Sequence, residues 1–134
     1  MTYFEDGSPY RYLPEFQDGS VNVGWLDAAE PYPTGDVPAD FAERLVELCR
    51  NPVNRTRGWH YCNLCPRPAE PMPQPITVKS PEGDFPVGFA EIRVEGSNGV
   101  RYAAPDMIAH YVLEHRYRPP DAFIEAVRQQ GDAS

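Results

Sequence analysis

Two pairs of metal-binding residue types, far apart in the sequence, constrain the fold of this chain most. Cys62 and Cys65 are separated by two residues, a spacing that lets two thiolates bind one ion from a tight turn. His110 and His115 have four residues between them, which is typical of a second ligand pair. Because 44 residues lie between Cys65 and His110, a shared ion would cross-link two distant elements. The pattern therefore predicts a Cys2His2 zinc site that is not a compact finger.

The two histidines present a geometric problem. At about 100° per residue, their side chains point about 140° apart on an ideal helix, so both reach one ion only if the helix tightens or ends. His115 falls on the apolar stripe with Ile108, whereas His110 falls on the opposite side. His115 is therefore the firmer predicted ligand, and His60, two residues before Cys62, is an alternative to His110. The competing interpretation is buried thiols and packed histidines without any metal.

A filled Cys2His2 site leaves no coordination position for water or substrate, which is typical of a structural metal. If one histidine stays free, the alternative is a metal-dependent hydrolase with Glu114 or Glu91 as general base. Three known catalytic patterns do not fit. Prolines that follow Cys65 oppose a thioredoxin-like helix, and a zinc deaminase would place its histidine before the cysteines. Three residues separate His110 from the Glu114-His115 pair, where the inverted metalloprotease motif has two. Whether the chain is an enzyme stays open, and a non-enzymatic role is favoured.

The composition predicts one acidic cytoplasmic domain. A chain of 134 residues has the size of a single domain, and its net charge of −8 argues against non-specific nucleic-acid binding. The start of the chain has no basic and apolar leader pattern, and no run approaches the roughly 20 apolar residues that span a bilayer. An odd count of three cysteines suits a reducing compartment. Cys49 lies on the apolar stripe of a helix and is expected to be buried and inert.

Periodicity and breaker residues predict an α+β fold, with a small antiparallel sheet or hairpin, two to three helices and a zinc-ribbon-like turn. The single domain 1–134 divides into an extended arm at 1–35, a helix and zinc turn at 36–65, a proline-rich loop at 66–86, and a hairpin with C-terminal helices at 87–130. Strands are expected at 21–25, 89–94 and 100–103, and helices at about 38–50, at about 105–115 and from about 120. The Asn98-Gly99 pair is a strong signal for the turn of the hairpin.

Several segments together resemble an uncharacterised family of small bacterial proteins of unknown function, and this resemblance spans nearly the whole chain. These segments are Thr2-Tyr3-Phe4, Asn22-Val23-Gly24-Trp25-Leu26-Asp27, Asn51-Pro52-Val53-Asn54, Arg57-Gly58, His60-Tyr61-Cys62-Asn63-Leu64-Cys65-Pro66 and Ala104-Pro105 through Pro120. The tail, with its His-Tyr-Val-x-x-His-x-Tyr-x-Pro-Pro pattern, is also similar to the ending of other small bacterial proteins that have an upstream Cys-x-x-Cys turn. That similarity implies a zinc-ribbon-like core with Cys62, Cys65, His110 and His115 as ligands, and it implies no activity. Pro66 departs from zinc knuckles, which usually have glycine after the second cysteine.

The leading hypothesis is a zinc-stabilised, non-enzymatic module that interacts with an unidentified protein through its acidic and aromatic surfaces. Neither a nucleic acid nor a membrane is expected as a partner. Besides the hydrolase, a third hypothesis is an acidic immunity or inhibitor protein that masks a basic partner, and the charge of −8 supports it.

Overall fold

A computed structural model describes residues 3–9, 20–53, 62, 64–65, 76–96 and 99–130. Within these ranges the chain forms three helices and two small sheets, which confirms the predicted α+β class. In chain order the elements are β1 (Val21–Asn22), α1 (Ala39–Arg50), β2 (Thr77–Val78), β3 (Phe85–Pro86), β4 (Glu91–Glu95), β5 (Arg101–Pro105), α2 (Ile108–His115) and α3 (Asp121–Gln129). No helix in the described ranges is long and apolar enough to cross a bilayer.

Several of the sequence predictions fall wholly or partly on residues outside the described ranges. Among them are His60 as an alternative ligand, Asn98 in the hairpin turn, Pro66, and parts of the arm (1–2 and 10–19), of the segment 36–65 (54–61 and 63) and of the proline-rich loop (66–75). The described remainder of that loop holds β2 and β3, which pair in antiparallel orientation with Val78 opposite Phe85. Both side chains join the hydrophobic core, and their burial holds two short strands in a segment that is otherwise irregular.

The predicted hairpin is confirmed. β4 and β5 are antiparallel, with Ile92 opposite Ala104 and Val94 opposite Tyr102. Because side chains alternate between the faces of a strand, these four share one face, and all four belong to the core. α1 and α3 pack against the β4 strand of this hairpin.

A third strand from the N-terminal arm makes the sheet mixed. β1 lies beside β5 and runs parallel to it, with Val21 opposite Tyr102. The indole Nε1 of Trp25 donates a hydrogen bond to the carbonyl of Ala103 at 3.0 Å, and Trp25 is buried. The arm is thus hydrogen-bonded to the edge of the sheet, and among the named strands of this sheet only β4 and β5 pair in antiparallel orientation.

α1 packs on the core through a stripe with helical spacing. Phe41, Leu45 and Cys49 recur every fourth residue and are all buried, whereas the opposite side carries charged residues. The helix follows Pro38, and proline is favoured at a helix start, where no intrahelical donor is needed. Phe41 meets Phe123 of α3 edge to face, with ring centroids 6.3 Å apart. The expected burial of Cys49 is confirmed, and burial raises the pKa of its thiol far above the ordinary value.

Candidate metal centre

The two cysteines and the two histidines converge on one point in the folded chain. Their ligand atoms, the two Sγ atoms and one ring nitrogen from each histidine, all lie within 4.8 Å of one another. Nε2 of His115 is 3.3 Å from Sγ of Cys62 and 3.3 Å from Sγ of Cys65. Nε2 of His110 is 3.2 Å from Sγ of Cys65. The four residues that the sequence analysis selected are therefore brought together by the fold.

The cysteines come from a tight turn. The backbone N–H of Cys65 donates to the carbonyl of Cys62 at 3.3 Å, three residues earlier, as in a β-turn. Cys62 is buried within the core cluster, whereas Cys65 is partly exposed, and the side chain of Leu64 packs against the core. One thiol thus lies inside the protein, and the second lies at its edge.

The histidines come from α2, whose ending solves the geometric problem of their spacing. The N–H of Arg116 donates to the carbonyl of Tyr111, five residues earlier, where an α-helix would use the carbonyl four residues earlier. This turn takes in more residues than an α-helical turn, so a side chain five positions after His110 returns towards the same side. His115 is the last residue of the helix, and the two imidazole centroids are 5.0 Å apart. The helix ends, as the sequence analysis required, and its last turn widens instead of tightening.

The end of α2 is held by a segment of the arm. The hydroxyl of Tyr32 donates to the carbonyl of His115 at 3.3 Å, and the N–H of Gly35 donates to the carbonyl of Arg116 at 3.1 Å. These bonds satisfy carbonyl groups that a helix end leaves without partners. Arg116 adopts the left-handed conformation, with φ of 56°, and its guanidinium pairs with Asp36 at 3.2 Å. The backbone position of His115 is therefore set from outside the helix.

Burial shifts the pKa values of two of these donors, Cys62 and His110, and makes it unfavourable to leave their polar groups without a partner. Burial, with a smaller contribution from Cys65, raises the pKa of the Cys62 thiol to about 11, so the thiol is protonated at neutral pH when no cation is near. Burial and the neighbouring His115 lower the pKa of His110, so its imidazole is neutral, the form that binds metals. A bound cation would displace the thiol protons and stabilise the thiolates.

The geometry of the donors fits a small tetrahedral ion. With bonds of about 2.3 Å to sulfur and about 2.0 Å to nitrogen, tetrahedral ligands lie about 3.3–3.8 Å from one another. The sulfur to nitrogen separations of 3.2 and 3.3 Å are close to that range, and no two of the four ligand atoms lie more than 4.8 Å apart. Two thiols and two imidazoles are also a ligand set that zinc favours.

The two carboxylates considered as general bases lie outside this group of ligand atoms. Glu114 is exposed on α2. Glu91 is buried on β4, where it forms an ion pair with Arg93 at 3.3 Å. Among the described residues, the four donors alone make up the cluster, and the third cysteine, Cys49, does not belong to it.

Sequence reasoning missed the residues that hold the cluster in place. Asp6 accepts hydrogen bonds from the N–H of Gly24 at 3.0 Å and from the hydroxyl of Tyr117 at 2.7 Å. It thereby joins the start of the chain to the segment just after His115. Tyr32 acts on His115 itself, as described above. Neither residue carries a local signal, because each acts through a partner more than 80 residues away.

Comparison with known proteins identifies a family without a described activity. Residues 2–128 match the profile of a family described as "Domain of unknown function (DUF7919)". No curated protein and no solved structure matches the chain significantly. Since the match covers nearly the whole chain, the protein belongs to this family, which confirms the predicted resemblance to an uncharacterised family.

Proposed function

We propose that this member of a family of unknown function binds one zinc ion through Cys62, Cys65, His110 and His115, and that the ion has a structural role in a non-enzymatic interaction module. The observation that carries this proposal is the convergence of four donor atoms within 4.8 Å of one another from two distant elements. Four polar groups that are buried or half-buried together would otherwise be costly, and a shared cation satisfies all of them.

The choice of zinc follows from the ligand types. Thiolate and imidazole are soft and borderline ligands, and a tetrahedral site with two of each is typical of zinc. Calcium and magnesium prefer oxygen ligands, and no carboxylate belongs to the described cluster. Zinc also imposes no geometric preference of its own, so it suits a site whose donors are set by a turn and a helix end.

The structural role follows from the number and placement of the ligands. Four protein ligands complete a tetrahedral shell and leave no position for water or substrate. The ion would join the turn at 62–65 to the end of α2, closing a long loop of the chain. Such a link stabilises the fold by restricting the unfolded chain and by supplying binding free energy that only the folded chain can use.

Metal content is the direct test of the ligand set. We expect the purified protein to hold one zinc per chain by elemental analysis, and Cys62→Ser, Cys65→Ser, His110→Ala and His115→Ala each to lower that stoichiometry. Cys49→Ala is the matched control, because Cys49 is a buried cysteine outside the cluster and its loss should leave the zinc in place. Variants that keep a full equivalent of zinc after loss of a ligand would refute the assignment.

Cobalt substitution separates the structural site from a hydrolase site. A filled shell of two thiolates and two imidazoles should give the visible spectrum of four-coordinate cobalt, and added azide should leave that spectrum unchanged. A site with an open position would bind azide, and its spectrum would shift. A shift would therefore favour the metal-dependent hydrolase over the structural module.

A further inference from the structure

A surface groove is lined in part by α2, the helix that carries both histidines, and none of the four metal donors belongs to its lining. It runs between α1, the segment 79–82 and α2, and has a volume of about 400 Å³. Its apolar lining comes from Ala42 and Val46 of α1, Pro81, and Leu113 of α2. Leu113 lies between the two histidines of the cluster in sequence. We name this feature the α1–α2 groove.

Leu113 shows that the apolar lining is open to solvent. Its side chain is 47% exposed, and it is one of two large apolar residues exposed to this degree in the described part of the chain. Val46 beside it is half-buried. A volume of this size accommodates one or two large side chains and lies in the range of ligand-sized sites. The groove therefore offers a small apolar contact surface next to charged side chains.

The charges around the groove are acidic on the side of α1. Glu43 and Glu47 are exposed and lie one helical turn apart, so their carboxylates point the same way. Glu82 adds a third carboxylate. None of these three forms an ion pair with another described residue. They therefore form an acidic rim that can pair with cations from outside the chain.

The arginine of the lining, Arg50, is bound to the opposite wall of the groove, away from Glu43 and Glu47. Arg50 donates to the hydroxyl of Ser80 at 2.6 Å and to the carbonyls of Glu82 and Gly83. Its guanidinium also lies over the ring of Phe85, at 5.6 Å from the centroid. Arg50 thus connects α1 to the segment after β2 by hydrogen bonds, and this contact forms one wall of the groove. Lys79 is the other cation of the lining, and it belongs to the wall formed by the segment 79–82.

We propose that the α1–α2 groove binds an amphipathic helix of a partner protein. An aliphatic or aromatic side chain of that helix would enter between Val46 and Leu113, and two Lys or Arg residues one turn apart would pair with Glu43 and Glu47. The spacing of these carboxylates along α1 matches the spacing of side chains along a second helix, which is the basis for choosing a helix as the occupant. This inference rests on the proposed function to the extent that the ion fixes α2, and with it Leu113.

The probe for this surface is a synthetic helical peptide with leucines on one face and lysines beside them, labelled for fluorescence anisotropy. The zinc-loaded full chain should bind it, and a peptide with glutamate in place of each lysine should bind far more weakly. Glu43→Lys with Glu47→Lys should weaken binding about tenfold, because two attractive pairs become repulsive. The matched control is Glu5→Lys with Glu30→Lys, which changes the net charge equally at exposed sites outside the groove and should leave affinity within about twofold.

Equal weakening in the two double variants would mean that net charge alone attracts the peptide, and it would overturn the proposal. A second variant tests the apolar contact. Leu113→Ser should weaken binding, and Leu113→Met should retain it. Unchanged binding by Leu113→Ser would equally overturn the proposal.

Zinc content, measured in the same samples, separates this proposal from the structural zinc site. Peptide that fails to bind a fully zinc-loaded, folded chain refutes the groove and leaves the metal assignment intact. A chain that binds the peptide without holding zinc refutes the metal assignment and leaves the groove intact.

Discussion

Two regions of this molecule are held together by different physics. The packed region consists of the β4–β5 hairpin with α1 and α3, where Phe41, Leu45 and Phe123 are fully or almost fully buried. The metal region consists of the turn at 62–65, the end of α2 and the segment 32–36. Its donors lie within 4.8 Å of one another, and two of them, Cys65 and His115, are partly exposed.

The contrast indicates where the proposed zinc ion would contribute to stability. Apolar burial contributes about 25 cal/mol per Å² and needs no ion, so the packed region has its own source of stability. The metal region has polar side chains at its centre, and their burial is unfavourable until they are paired. We therefore expect the ion to control one region and leave the other largely intact, and four experiments test that division.

Removal of zinc should have the largest effect, and it should be local. Structural zinc sites contribute on the order of 10 kcal/mol, and this free energy would be lost from the metal region. After treatment with a chelator, amide hydrogen exchange should speed up at Arg116 and Tyr117, whose N–H groups donate to Tyr111 at the end of α2. Amides of β4 and β5 should stay protected. Uniform loss of protection across the chain would show that the two regions form one cooperative unit.

Truncation of a core aromatic should have the converse effect. Phe123 is 0% exposed and contacts the rings of Phe41 and Tyr102 edge to face. Phe123→Ala should lower the free energy of unfolding by about 3–5 kcal/mol, as measured by denaturant titration, and should leave one zinc per folded chain. Leu113→Ala is the control for loss of an exposed apolar side chain and should change stability by about 0.5 kcal/mol or less. Loss of zinc from folded Phe123→Ala would contradict the division.

The N-terminal arm contacts both regions, and a substitution at Gly24 tests how closely the arm packs against α2. Its φ is +81°, and a Cβ there would lie 2.6 Å from Cδ1 of Ile108, at the start of α2. Gly24→Ala should therefore cost about 2–3 kcal/mol, from backbone strain and from the clash. Gly7→Ala is the matched control, because Gly7 also has a positive φ but has nothing within 4 Å of the added Cβ, and about 1 kcal/mol is expected. If Gly24→Ala and Gly7→Ala lost equal stability in thermal unfolding, the side chain of Ile108 would be able to move away from the added Cβ without cost.

The smallest effect concerns an ion pair within the packed region. Arg128 of α3 donates to Asp40 of α1 at 2.9 Å, and this hydrogen bond is the main cause that lowers the pKa of Asp40. Since the folded state favours the ionised carboxylate, the contribution of the pair is present above pH about 4 and is lost as the pH falls through the lowered pKa. Titration by carboxyl NMR should give a lower midpoint for Asp40 in the wild type than in Arg128→Gln. Equal midpoints would show that Arg128 does not stabilise the ionised form of Asp40.

Local patterns in the sequence were sufficient to predict the secondary structure of much of the packed region. The stripe of Phe41, Leu45 and Cys49 indicates α1, and the alternation around Ile92 and Val94 indicates a strand, because helices and strands have fixed side-chain periods. The Cys62 and Cys65 spacing likewise indicates a ligand pair without any knowledge of the fold. In each case the interacting residues are near one another in the chain.

The remaining features depend on contacts that no local pattern encodes. The sequence alone left His110 in doubt, because an ideal helix points it away from His115, and only the widened turn at Arg116 brings both imidazoles together. β1 pairs in parallel with β5, and Tyr32 donates a hydrogen bond to His115. Both contacts join residues that are about 80 positions apart in the chain. Residue spacing therefore determined which side chains are suited to a metal, whereas the tertiary structure decided that they meet, since the end of a helix is shaped by what packs against it.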